Sequence, residues 1–157
     1  MSEEHGYPFN MKESTLNILV VGAGLIGRER ISAIKKISAN FSLKFNINVV
    51  DINEKILKKI KDDFNVTINI NLEEELKKNP DWIFICTPHS IASNLLKESF
   101  NYSKNILVEK PLGRNIEECE DIIDSKPNET NLYVGYNYRF YQGINLLLNH
   151  AKNNFFG

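Results

Sequence analysis

Cysteine is scarce in this chain, with only Cys86 and Cys119 among 157 residues. The two lack the spacing of a zinc site and the density of a disulfide scaffold, so neither a metal centre nor a stapled secreted domain is expected. No apolar run approaches the roughly 18 residues that a membrane-spanning helix requires. Residues 1–15 contain no apolar block that could serve as a signal sequence, and they read as a polar tail, with His5 exposed in it. Excess charge is missing as well: 19 Lys and Arg stand against 20 Asp and Glu, a net charge of −1. That balance offers no bulk attraction to nucleic acid or anionic membrane. Internal repeats and low-complexity segments are absent. A reducing cytoplasm is the expected address, and the length fits one domain that can bury a core without covalent staples.

What is present begins with LNILVVGAGLIGRERISAI, residues 16–34. The uncharged run from Ile18 to Val21 ends at Gly22, Gly24 and Gly27, and a helical pattern follows; this reads as strand, phosphate turn and helix. In a dinucleotide-binding unit the first glycine permits the tight turn, the second lets the pyrophosphate approach the backbone, and the third lets the helix pack on the strand. Gly22, Gly24, Leu25, Ile26 and Gly27 are therefore candidate cofactor residues, the helix start supplying free N–H groups and partial positive charge. No Gly-Lys-Ser/Thr follows, which excludes a nucleoside-triphosphate loop. The next strand, Phe45–Val50, ends on Asp51, 24 residues beyond Gly27 and near the interval of about 20 at which an acid meets the adenosine ribose. A carboxylate there repels a 2′-phosphate, and no arginine stands nearby to receive one, so NAD is favoured over NADP. Asp51 also suits the N-cap of the helix expected from Asn53 to Asp63.

Further along, Val66–Ile70 reads as a short strand and Leu72–Lys78 as a helix, with Glu73 to Glu75 on a solvated face that favours the helix dipole. Trp82–Cys86 is an unbroken apolar strand of the buried kind, Cys86 being a small core residue. A helix is expected from Ser90, with Ile91, Leu95, Leu96 and Phe100 on one face. Asn105–Val108 reads as the fifth strand, residues 131–135 as the sixth, and a last helix passes through Ile144, Leu147 and Leu148. Because ligands of open α/β sheets lie outside the carboxyl ends of the strands, Thr87, Pro88 and His89 fall at the cofactor and Lys110 at the carboxyl edge of a central strand. Lys110 can hold a substrate hydroxyl or the nicotinamide ribose, or move a proton if burial lowers its pKa; it can equally be a surface lysine with a packed stem. Arg28 and Arg30 read as solvated helix residues, with neutralisation of pyrophosphate charge as the alternative.

Assembled, these segments resemble the Gfo/Idh/MocA oxidoreductases, the family of glucose-fructose oxidoreductase and inositol dehydrogenase. The resemblance rests on GAGLIG, the acid of VVDIN, PDWIFICTPHS, EKPLG and GYNYRF (135–140). It implies an α/β fold, a Rossmann-like doubly wound and mainly parallel sheet in a three-layer α/β/α sandwich, with strands in the order 3-2-1-4-5-6. It implies a cofactor domain over 16–136 and, over 137–157, the entry to a largely absent C-terminal substrate domain. The resemblance carries cofactor contact to Thr87, Pro88 and His89, places Glu109 and Lys110 beside the nicotinamide with Lys110 the catalytic candidate, and leads us to expect a cis Lys110–Pro111 bond. Where family members often carry histidine, this chain has Arg30 and, near the TP turn, Ala92.

The function so implied is hydride transfer between NAD and a sugar-like or polyol substrate, with a possible homo-oligomer and no nucleic-acid, membrane or metal partner; the isolated chain is expected to be inactive. The alternative is a dinucleotide-binding module without catalysis, acting as a sensor or an oligomer component. A phosphosugar-binding regulator is a third reading.

Overall fold

The computed structural model describes residues 15–152; the remainder of the expected tail, and residues 153–157, lie outside the described residues. Six strands and six helices alternate along the chain: β1 Thr15–Val21, α1 Leu25–Phe41, β2 Lys44–Val50, α2 Glu54–Phe64, β3 Thr67–Asn69, α3 Leu72–Leu76, β4 Trp82–Ile85, α4 His89–Ser99, β5 Asn105–Val108, α5 Ile116–Ser125, β6 Asn131–Val134 and α6 Gln142–Lys152. A 3-10 turn, Asn137–Phe140, precedes α6. The strands form one sheet in the order β3-β2-β1-β4-β5-β6, and every pairing is parallel. This is the expected doubly wound Rossmann architecture.

The apolar runs explain the layering. Side chains alternate across a strand, and β1 is apolar on both faces: Ile18 and Val20 join Ile31, Ile34, Ile47, Val49, Leu57 and Ile60 beneath α1 and α2. Leu19 and Val21 join Leu76, Ile83, Ile85, Leu96, Ile106 and Ile122 beneath α3, α4 and α5. Strand order reverses between β1 and β4, so the loops leaving these two strands diverge and open a crevice at the carboxyl edge. On the face of β4–β6 opposite α4 and α5, Trp82 stacks on Tyr133 across β5 with centroids 5.5 Å apart.

Several expectations change in detail. Helix α1 runs to Phe41, beyond the 16–34 stretch, and ends where Ser42 turns left-handed at φ 53° and its N–H bonds Ser38 O. Glu75 is not on a solvated face: it is 2% exposed. Its Oε1 accepts hydrogen bonds from Asn69 Nδ2 at 2.9 Å and Lys78 Nζ at 2.6 Å, which compensates part of the cost of burying the charge. On α4, Leu96 and Phe100 enter the core as expected and Leu95 packs against it, with Ala92 and Ser93 buried beside them, but Ile91 is 49% exposed. Helix α5 was not anticipated, although Asn115 caps it through Glu118 N and the Glu118 carboxylate returns to Arg114. The Lys110–Pro111 bond is cis, as expected.

Leu96 is fully buried between α4 and the sheet, whereas Leu147 on α6 is 54% exposed. Urea unfolding should show Leu96→Ala losing about 2–5 kcal/mol and Leu147→Ala changing stability by no more than about 0.5 kcal/mol.

Candidate functional site

The crevice is shaped by what two glycines leave out. Gly22, at φ +97°, is in a conformation other residues rarely adopt, and a Cβ there would lie 2.9 Å from the carbonyl of Cys86. A Cβ on Gly27 would run into the carbonyl oxygen of Gly22, so only glycine lets α1 pack this tightly on the end of β1. Gly24 differs, because nothing lies within 4 Å of its hypothetical Cβ. The turn is closed from below and open above.

Its electrostatics suit an anion. Helices α2, α3 and α5 are capped by Asn53, Asn71 and Asn115. The 17-residue α1 has no side-chain cap and no acid in its first turn, and its first internal bond runs from Arg28 N to Gly24 O at 3.0 Å. The N–H groups ahead of that bond point out of the helix toward the crevice. Asp51 anchors the turn from β2: its Oδ2 accepts from Ala23 N at 2.7 Å and its Oδ1 from Asn53 N at 2.8 Å. The cap of α2 is Asn53 and not Asp51, since Asn53 Oδ1 receives Lys55 N and Ile56 N. An ionised carboxylate offers about four lone-pair sites, so Asp51 keeps acceptor capacity after these two bonds.

These groups line one cleft of about 380 Å³ with Thr87, Pro88 and an apolar wall formed by Ile52, Ile56, Ile70, Leu72, Ile91 and Leu95. Size does not single it out. Clefts of about 500 and 400 Å³ lie along β6 and below Phe100, and one of about 350 Å³ lies at the amino-terminal edge. Chemistry does, because the Thr87 hydroxyl is buried without a partner among the described residues and a buried polar atom without one is costly. An open uncapped turn, a carboxylate with spare acceptor sites and an orphaned hydroxyl fit a dinucleotide.

The other candidates are spread out. Leu25 and Ile26 are on the outer rim, 75% and 43% exposed. His89 is the exposed first residue of α4, outside the cleft lining. Lys110 is exposed at the end of β5, one strand beyond Thr87. Glu109 turns inward to Arg30. Arg30 is therefore no solvated residue: its side chain is 20% exposed, pairs with Glu109 and reaches Asn137 Oδ1 at 3.4 Å. Arg28 bonds Asp63 at 2.7 Å and lies over the Phe64 ring. Sequence reasoning missed Arg30 and the apolar wall; the arginine replacing a family histidine was the available signal. Among the described residues no group of three or more His, Cys, Asp or Glu could hold a metal, and no helix is long and apolar enough to cross a membrane.

The sequence profile of the family described as "Oxidoreductase family, NAD-binding Rossmann fold" (GFO_IDH_MocA) matches residues 16–137. The chain belongs to the Gfo/Idh/MocA family. The uncharacterized oxidoreductase YrbE of Bacillus subtilis is 27% identical over 77% of this chain and 35% of its own length. The myo-inositol 2-dehydrogenase of Thermotoga maritima is 26% identical over 90% of this chain and 42% of its own. The chain thus spans less than half the length of these relatives. The crystal structure of the WlbA dehydrogenase from Bordetella pertussis, in complex with NADH and UDP-GlcNAcA, superposes with a TM-score of 0.80 at 18% identity over 92% of this chain and 44% of that one.

Cys86 sits beneath the turn, where burial first, and then the Glu109 charge, push its thiol from 9.0 up to about 12, Arg30 opposing. At about pH 8 a maleimide should leave Cys86 unlabelled in the native protein and modify it after unfolding. The raised folded value means that this group costs stability as pH climbs from 9.0 toward about 12, where the unfolded thiol ionises and the folded one does not.

Proposed function

We propose that this chain is the cofactor-binding part of an NAD-dependent oxidoreductase acting on a sugar-like or polyol alcohol. The observation that carries the proposal is the convergence, in one crevice at the strand-order reversal, of the uncapped glycine turn, the Asp51 carboxylate and the unpaired Thr87 hydroxyl. The N–H groups of Leu25, Ile26 and Gly27 would hold the pyrophosphate. Asp51 would accept the adenosine ribose hydroxyls, and the apolar wall from Ile52 to Leu95 would cover the flat base. Thr87 and Pro88, with His89 at the rim, would guide the far half of the cofactor toward Lys110.

When bound, nicotinamide supplies the hydride chemistry. The chain's own contribution is position and charge. Lys110, an ammonium with three donors at the carboxyl edge of β5, would hold the oxygen of the reacting hydroxyl, and Thr87 would satisfy its own hydroxyl on the cofactor. Glu109 would act through its place in the same turn. The myo-inositol dehydrogenase and the sugar-nucleotide-bound structure among the similar proteins support a substrate rich in hydroxyls. The reducing cytoplasm remains the address proposed for it.

NAD is proposed over NADP because burying a 2′-phosphate beside Asp51 brings like charges together. Calorimetry should find NAD tighter than NADP, with Asp51→Ser narrowing the gap; equal or tighter NADP binding would refute the assignment. Gly24→Ala fills the open space over the turn and should abolish dinucleotide binding while shifting Tm by no more than about 3 °C. Gly27→Ala should lower both affinity and Tm. The chain alone should not reduce NAD with inositol or glucose, because positioning the donor can supply roughly 7–11 kcal/mol of the barrier and no substrate wall can be assigned among the described residues; sustained NADH absorbance would contradict this.

A further inference from the structure

We propose that Arg30 is a positioning residue for Lys110, an inference that rests on the reading of Lys110 at the nicotinamide end of the cleft. Arg30 stands one helical turn beyond Gly27, so the helix start that forms the cofactor turn also fixes where its guanidinium lies. Both Nε and Nη2 of Arg30 reach Oε1 of Glu109, the residue next to Lys110. The pair is largely withdrawn from water, at 20% and 14% side-chain exposure, where separating the partners leaves an uncompensated charge.

The surroundings hold the pair on three sides. Gly135 is packed against it, since a Cβ there would lie 2.9 Å from Glu109 Oε2 and 3.2 Å from Arg30 Nη2. Glu109 N donates to Ile85 O at 3.0 Å and Gly135 N to Val108 O at 2.9 Å, tying the ends of β4, β5 and β6 together at this point. Cys86, which packs beneath Gly22 and Gly27, feels both charges. Arg30 Nη2 extends to Asn137 beyond β6. Lys110 itself is exposed, and among the described residues no hydrogen bond or ion pair is recorded for its side chain. Its location is therefore set by the backbone turn, which Glu109 anchors to α1 through Arg30. The brace links the turn that would receive the pyrophosphate to the lysine that would meet the nicotinamide.

The test is lysine footprinting of this chain, following acylation of Lys110 by an N-hydroxysuccinimide ester with peptide mass spectrometry. The conditions are no ligand, saturating NADH and saturating ADP-ribose, which lacks the nicotinamide. In the wild type, NADH should slow Lys110 acylation about fivefold or more and ADP-ribose much less, and in Arg30→Met and Glu109→Gln the affinity for ADP-ribose should stay within about twofold while the NADH protection of Lys110 disappears. Arg30→Lys keeps the charge without the planar fork and should recover part of the protection. If Arg30→Met fails to fold, Glu109→Gln carries the same expectation, and Arg30→Lys should show partial protection. Full protection retained in the variants would overturn the positioning role, as would a parallel loss of ADP-ribose affinity, which marks a purely structural brace. Absence of NADH protection in the wild type would instead refute the placement of Lys110, and the inference would fall with it.

Discussion

The contact that the rest of the crevice depends on is the approach of α1 to the end of β1, where Gly27 meets the carbonyl of Gly22 with no side chain between them. Moving the helix outward by the width of a methyl group would displace everything it carries. Its free N–H groups would leave the crevice, the amide of Ala23 would leave Asp51, and Arg30 would no longer reach Glu109. Gly22 completes the contact from the other side by letting the chain reverse over the Cys86 carbonyl. Two missing side chains thus align groups from β1, β2, β4 and β5.

Charge is distributed along this crevice in a graded way. At the β2 end a carboxylate sits with acceptor capacity to spare; in the middle, a helix start free of acids and caps presents partial positive charge. Below it lies the Cys86 thiol, kept neutral by burial. At the β5 end the Arg30–Glu109 pair neutralises itself, leaving Lys110 as the exposed charge of that turn. A ligand with ribose hydroxyls at one end and two phosphates in the middle matches this sequence of groups, whereas a phosphosugar would leave the Asp51 end and the apolar wall unused.

The alternation of apolar strands and helical periods was legible from the residues, and the sheet order followed from the resemblance to dinucleotide-binding units. The glycines and Asp51 were legible because each is a local signal at a fixed offset. The failures turn on packing and pairing that a local pattern does not display. Arg30 and Glu109 are separated by 79 positions, and nothing beside Arg30 shows that it is half-buried. Glu75 looks like its solvated neighbours until Asn69 and Lys78 are seen around it. Ile91 shares the apolar period of Leu95, Leu96 and Phe100, yet it is half exposed at the cleft while Ala92 is buried in its place. Helix α5 was a different omission, since its capping signal at Asn115 and Glu118 is local and was available.

Amide correlation NMR of the isotopically labelled chain, titrated with NAD, addresses the central claim most directly because it reports every backbone N–H at once. Binding at the crevice predicts the largest shifts at residues 23–28, 51–53 and 86–89, with the Ala23 amide already downfield from its bond to Asp51. Shifts gathered instead around Asn17, Asn46 and Asn65–Thr67, which line the cleft at the opposite edge of the sheet, or no saturable shifts at all, would contradict it.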